Sequence, residues 1–179
     1  MLAVFSRFYV ALIVVTVAAT SVTGGAEFQP IPKLAGRVTD TAHVLQANDR
    51  ARIEKMLDKY ERETFHQIAV LTIPTLAGER IEMFSLRVAN AWALGQKGLD
   101  DGILVAMVMK DRIIRIQLRS GMEKYITNDD AEAVIDKKMI PAFKKADYAG
   151  GLQAGLEELM KLGRRFVVKK EDVERAKNK

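Results

Sequence analysis

Cysteine is absent from this chain of 179 residues, which also holds only two histidines, one tryptophan and four prolines. The absence of cysteine excludes disulfides, thiolate metal sites and a cysteine nucleophile, so the fold is stabilised by packing alone. Other nucleophilic chemistry has little support, because the sequence contains no Gly-x-Ser-x-Gly turn, no histidine-rich metal spacing and no phosphate-binding glycine loop. Only His43 and His66 could act as a base near neutral pH.

The first 26 residues have the layout of a secretory signal peptide. Arg7 precedes an apolar run from Phe8 to Ala19, and the small residues of 21–26 follow that run. The run is shorter than the eighteen or so residues expected of a membrane-spanning helix. We therefore predict cleavage after Ala26 and export of the chain to the periplasm. An uncleaved N-terminal anchor is the alternative, because the apolar run could extend to Val22.

The C-terminal segment, residues 163–179, is predicted to be a basic tail attached to one domain, residues 27–162. Residues 161–179 carry eight Lys or Arg against three Asp or Glu. Such a tail could bind an anionic membrane surface, and the alternative is that it is simply a solvated helix end. Because the chain is predicted to be exported, nucleic acid is not expected as a partner.

Hydrophobic periodicity between these ends predicts alternating helices and strands. Residues 27–36 are predicted to be an extended lead-in. Apolar residues at helical spacing predict helices over 47–65, 78–94, 127–141 and from 148. Apolar or alternating runs predict strands over 67–74, 103–109 and 113–119. Residues 110 and 111 are predicted to be a two-residue turn, which makes the last strand antiparallel to its neighbour. The order of elements predicts an α/β fold, a three-layer αβα sandwich around a small mixed β-sheet of three or four strands.

Two loops that this topology places at one edge of the sheet carry acidic residues. The loop Leu99–Gly102 precedes the second predicted strand and should face Gly121–Glu123, which follows the third. Asp100, Asp101 and Glu123 could together hold Ca²⁺ or Mg²⁺, since these ions prefer oxygen ligands from several loops. The alternative is structural, with the two aspartates as turn formers and Glu123 as a cap of the next helix.

Several short motifs, taken in their order and spacing, resemble the TPM domain from about Pro32 to Leu162. They are Gly36-Arg37-Val38-Thr39-Asp40, Trp92-Ala93-Leu94-Gly95, Asp100-Asp101-Gly102, Gly121-Met122-Glu123, and Pro141-Ala142-Phe143 followed by Tyr148-Ala149-Gly150-Gly151. The resemblance implies an α/β sandwich outside the cytoplasm, with phosphatase activity attributed to some members and calcium binding through acidic loops suggested for others. It adds Asp40 to the candidate ligands and implies no organic cofactor.

Three residues depart from the pattern of the family that the chain resembles. The family usually has glycine where Ala93 stands, asparagine where Asp101 stands and glycine where Arg119 stands. Asp101 would add an oxygen ligand to the acidic loops. Arg119 instead places a positive charge beside them, which opposes cation binding or favours an anion such as phosphate.

These observations predict one of two functions. The first is that of an exported TPM-domain accessory or binding protein of the cell envelope, which binds a divalent cation at the acidic loops or an unidentified envelope or membrane protein. The alternative is a metal-assisted phosphatase. In that alternative the carboxylates hold the cation, Arg119 or Arg115 holds the phosphate, and His66 serves as the base.

Overall fold

The computed structural model describes residues 28–165, together with residues 171, 174 and 175. The predicted signal peptide and most of the predicted basic tail lie outside the described residues. Within the described part, no helix is both long and apolar enough to cross a membrane.

The described residues form strands and helices in nearly the order that the sequence predicts. In chain order they are β1 Val38–Asp40, α1 Ala47–Thr64, β2 Gln67–Ile73, α2 Ile81–Ala91, β3 Gly102–Val108, β4 Ile113–Leu118, α3 Asn128–Val134, α4 Ile140–Phe143 and α5 Tyr148–Gly163. A π-helical turn, Ile135–Met139, joins α3 to α4.

The strands form one mixed sheet in the order β1-β2-β3-β4. The first three strands are parallel, and β4 returns antiparallel to β3 with Val105 opposite Ile116. The sequence did not predict β1 as a strand, because three residues are too few to show a period. Its pairing with β2 gives the sheet its fourth strand and leaves β4 at the opposite edge.

Helices cover both faces of the sheet, which confirms the predicted three-layer α/β fold. Helices α1, α3 and α5 pack on one face, against side chains such as Ile68 and Val70 of β2. Helix α2 packs on the other face, against Ala69 and Leu71 of the same strand. The strands β2 and β3 are buried on both sides, and this explains why their sequences are continuously apolar rather than alternating.

Helix α2 is shorter than predicted at both of its ends. Gly78 has φ +94°, which is outside the helical region, so the helix begins only after Arg80. At the other end Ala93 has φ +48°, and this left-handed residue stops the helix after Ala91.

The connections around β4 and α3 differ from the prediction in detail. Val108 pairs with Ile113, so the turn between β3 and β4 spans 109–112 rather than two residues. Helix α3 begins with a capping box, in which the Thr127 hydroxyl accepts from the Asp130 N–H at 3.1 Å and the Asp130 carboxylate accepts from the Thr127 N–H at 3.0 Å. The helix that follows changes to π-helical geometry just before Pro141.

Candidate functional site

The two acidic loops meet at the end of the sheet where β2 and β3 begin, as the topology predicted. The Gly121 N–H donates to the Asp100 carbonyl oxygen at 2.9 Å, and the Arg119 N–H donates to the Gly102 carbonyl oxygen at 3.0 Å. We call the residues 99–102 and 119–123 the rim. A side chain at Gly121 would place its Cβ only 1.9 Å from the Leu99 carbonyl oxygen, so glycine at this position permits the close approach of the two loops.

Asp101 lies inside the rim rather than at its surface. The residue is only 3% exposed, and one carboxylate oxygen is 2.9 Å from Nδ1 of His66, which is itself 1% exposed. The other carboxylate oxygen accepts from the Gln96 N–H at 2.6 Å. Asp101 therefore joins the start of β2 to the loop before β3, and this pairing with His66 was not predicted from the sequence.

Asp100 points outward and forms an ion pair with Arg119. The two side chains are 2.5 Å apart, while the side chain of Asp100 remains 50% exposed. The hydrogen bond from Arg119 is the main reason that the pKa of Asp100 lies below its usual range. Arg119 is held in place from its other side by the Asn90 side-chain oxygen at 2.5 Å, and the Ser120 hydroxyl donates to Asp100 at 3.2 Å.

The other two predicted ligands lie apart from this pair. Glu123 is exposed, and it does not cap the next helix, since Thr127 does so. Asp40 lies at the far end of the sheet, where it pairs with Thr72, about 17 Å along β2 from the rim. Its carboxylate accepts from the N–H groups of Val44 and Leu45, at 3.2 and 3.0 Å, and so holds the loop that leads into α1.

The carboxylates of Asp100 and Asp101 in the rim are already hydrogen-bonded to protein groups. Both carboxylate oxygens of Asp101 accept hydrogen bonds inside the protein, and one carboxylate oxygen of Asp100 is bonded to the guanidinium of Arg119. In the part of the chain that the structure describes, no three Asp, Glu or His side chains group together as a metal site requires. Cation binding at the rim stays a prediction.

A buried tyrosine of α1, Tyr60, lies next to the His66–Asp101 pair. The ring centroids of Tyr60 and His66 are 6.4 Å apart. The Tyr60 hydroxyl is buried against Gly163 of α5 and has no hydrogen-bond partner among the described residues. Burial raises the pKa of Tyr60 to about 12, so the phenol stays neutral.

Comparisons with known proteins agree with this architecture. Residues 38–162 match the family model described as the TPM domain. The fold is similar to the solution structure of the N-terminal domain of a protein from P. gingivalis, with 28% identity, a TM-score of 0.64, and coverage of 70% of this chain and 80% of that one. No curated protein matches the chain.

Two further solution structures show the same fold at lower identity. The BA42 protein of the psychrophilic bacterium Bizionia argentinensis is 20% identical, with a TM-score of 0.61 and coverage of 72% of this chain and 88% of that one. The N-terminal domain of the cg2496 protein of Corynebacterium glutamicum is 19% identical, with a TM-score of 0.57 and coverage of 73% and 82%.

Proposed function

Because this chain belongs to the TPM domain family, we propose that it is an accessory protein of the cell envelope, which acts by binding a partner protein and not by turnover. The observation that carries the proposal is the internal pairing of the rim. Asp101 is bonded to His66, and Asp100 is bonded to Arg119. Because these side chains are bonded to each other, they hold the two loops of the rim in one arrangement. They are therefore not available as ligands for a metal ion or a substrate, as catalysis would require.

The location proposed for this function rests on the sequence of the N-terminal segment. A basic residue followed by an apolar run and small residues is typical of a secretory signal, so the partner is an envelope or membrane protein. The basic residues of 163–179 would bring the domain close to an anionic membrane surface. Sedimentation with vesicles that contain phosphatidylglycerol tests this contact. Deletion of 166–179 leaves Gly163 and Arg164 in their contacts with α1, and binding that persists after this deletion would rule out the tail as its cause.

The metal-assisted phosphatase is the alternative, and two features of the rim weigh against it. A catalytic metal site keeps an open coordination position and a base within reach of the substrate. His66, the predicted base, is buried behind Asp101, and both ends of the Arg119 guanidinium are already hydrogen-bonded. A phosphate would have to displace these bonds before it could be held.

An assay of phosphate-ester hydrolysis separates the two functions. The purified protein is incubated with p-nitrophenyl phosphate and with Ca²⁺ or Mg²⁺, beside the variant Asp100→Asn/Asp101→Asn and the control Asp136→Asn, which changes an exposed aspartate outside the rim. We expect no turnover above the buffer rate for any of the three. Cation-dependent hydrolysis that the double variant loses and the control keeps would establish the phosphatase instead.

Calorimetric titration of the same three proteins with Ca²⁺ and Mg²⁺ tests the rim as a cation site independently of turnover. Because Arg119 neutralises Asp100, we expect no saturable heat at micromolar concentrations of either ion. Micromolar binding that disappears in the double variant and persists in Asp136→Asn would show that the rim rearranges to take a cation.

A further inference from the structure

The outer edge of β4 carries backbone groups without partners. The Arg119 N–H donates to the carbonyl oxygen of Gly102 in β3. In an antiparallel strand the backbone N–H and C=O groups of every second residue point to the same side. The N–H and C=O groups of Ile114 and Ile116 therefore point away from the sheet. Among the described residues, no backbone hydrogen bond to these outward groups is present. The series of outward backbone groups without partners ends at Leu118, because the Leu118 carbonyl oxygen accepts from the side chain of Gln117 at 3.0 Å.

The opposite edge of the sheet, which β1 forms, is protected by a hydrogen bond to α1. Strand β1 has only three residues, and its outward Val38 N–H donates to the carboxylate of Glu54 in α1 at 2.8 Å. An open strand edge is a template for pairing with another extended segment, and proteins usually protect it. In this fold the protection is applied at β1 and not at Ile114 and Ile116 of β4.

Two surface grooves meet along the open edge. One, of about 450 Å³, runs between α2 and α3 beside β4, and the other, of about 600 Å³, lies between the start of β4 and the α4 region. Both grooves are lined by Ile113 and Ile114. Ile113 is 38% exposed, so an apolar side chain already lies at the point where the grooves join. The open edge therefore has space on both of its sides for the side chains of an added strand.

The charges that line the grooves differ from one end to the other. Arg112 and Lys144 line the larger groove together with apolar side chains such as Phe143, and no acidic residue lines it. Neither cation forms an ion pair with any residue in the described part of the chain. Glu82, Glu132 and Arg115 line the smaller groove, and Glu82 already forms an ion pair with Arg80 at 3.4 Å. Glu132 is therefore the acidic side chain of this groove that remains for a cation of the occupant. An occupant complementary to both grooves has a carboxylate at one end and a cation at the other.

We propose that the β4 edge docks an extended segment of the partner protein, which adds a fifth strand antiparallel to β4. The backbone of the segment bonds to Ile114 and Ile116, an apolar side chain enters the larger groove, and a carboxylate at its C-terminal end lies beside Arg112 and Lys144. Main-chain bonds supply affinity and the grooves supply specificity in this mode of recognition. The inference rests on the proposed function in that it names the surface that binds the partner.

A fluorescent peptide of sequence KTVTFE is the probe, and the reversed peptide EFTVTK is its control. We expect KTVTFE to bind the purified protein at least ten-fold more tightly, since in antiparallel pairing with β4 only its charges match both ends of the edge. The variant Arg112→Glu/Lys144→Glu should weaken binding about ten-fold. The matched control Lys110→Glu/Lys145→Glu makes the same charge change on neighbouring exposed residues that do not line the grooves, and it should bind as the wild type does.

Hydrogen exchange followed by NMR locates the peptide on the sheet. Bound peptide should slow exchange of the Ile114 and Ile116 amides, which point outward, and leave the Arg115 amide unchanged, because it already faces β3. Absence of KTVTFE binding up to about 1 mM, equal binding of the two peptides, or unchanged exchange at Ile114 and Ile116 would each overturn the proposal. So would concentration-dependent protection of these amides without peptide, which would assign the edge to a second copy of the chain.

The failure of this inference is distinguishable from failure of the proposed function. If the peptide does not bind and no phosphate ester is hydrolysed, only the assignment of the surface is lost. If a phosphate ester is hydrolysed in the cation-dependent way described above, the proposed function fails whatever the peptide does.

Discussion

Truncation of Asp101 removes the buried carboxylate that joins the start of β2 to the loop before β3. In Asp101→Ala the ring nitrogen of His66 and the N–H of Gln96 lose acceptors that lie at 2.9 and 2.6 Å, in a site that is 3% exposed. A buried polar group left without its hydrogen-bond partner costs about 1–3 kcal/mol, so the loss of both acceptors costs about 2–6 kcal/mol. Because a domain of this size unfolds with about 5–15 kcal/mol, we expect Asp101→Ala to lose a substantial part of the stability.

Asp101→Asn should cost far less than truncation, about 1 kcal/mol. The amide oxygen can still accept from the Gln96 N–H, and the amide nitrogen can donate to Nδ1 of a neutral His66. The comparison of the two variants therefore separates the loss of hydrogen bonds from the loss of charge.

Urea unfolding followed by far-ultraviolet circular dichroism measures both variants against the wild type. The control Asp136→Ala truncates an exposed aspartate and should change the free energy of unfolding by less than about 0.5 kcal/mol. A cost below about 1 kcal/mol for Asp101→Ala would refute the view that the pair holds the rim together. Equal and large costs for Asp101→Ala and Asp101→Asn would show that the charge, and not the hydrogen bonding, stabilises the rim.

Three further variants test other features of the structure. Ala93→Gly should raise the free energy of unfolding by about 0.5–1 kcal/mol in urea, since φ is +48° at this residue; a decrease would contradict the left-handed assignment. Tyr60→Phe should raise it by about 1 kcal/mol, because the buried hydroxyl has no partner among the described residues; a large loss would show that this hydroxyl is bonded. Arg119→Ala should raise the pKa of Asp100, as an NMR titration of its carboxyl group measures, because Arg119 is the main cause of its lowering. The stabilising contribution of this pair is present above the ordinary pKa of aspartate and is lost as the pH falls through the lowered value, so an unchanged pKa in Arg119→Ala would refute the ion pair.

Local sequence patterns were sufficient to predict the main elements of the fold. Burial on both faces requires apolar residues throughout β3, and burial on one face of α1 requires the helical spacing of Ile53, Leu57 and Tyr60. The capping box between Thr127 and Asp130 was predictable for the same reason, since both partners lie within one turn of the chain. The short strand β1 was missed because it is defined by its pairing with β2 and not by its own sequence.

The rim shows where prediction from the sequence ends. The topology placed Asp100 and Asp101 in the correct loop, yet their side chains point in opposite directions, one to Arg119 at the surface and one to His66 inside. Loop residues have no period that would indicate which side faces the core. Their direction follows from the φ of +52° at Asp100 and from the partners that the folded chain brings near.

The sequence by itself therefore determined the family, the order of the elements and the layers of the fold, because these depend on periodic burial within single segments. Only the tertiary structure decided which charges pair at the rim and which strand edge stays open. Both depend on contacts between residues far apart in the chain, such as Arg119 with Asp100 and Val38 with Glu54. Ion pairs and edge protection have no local periodic signal, and they arise only once packing has fixed the distances.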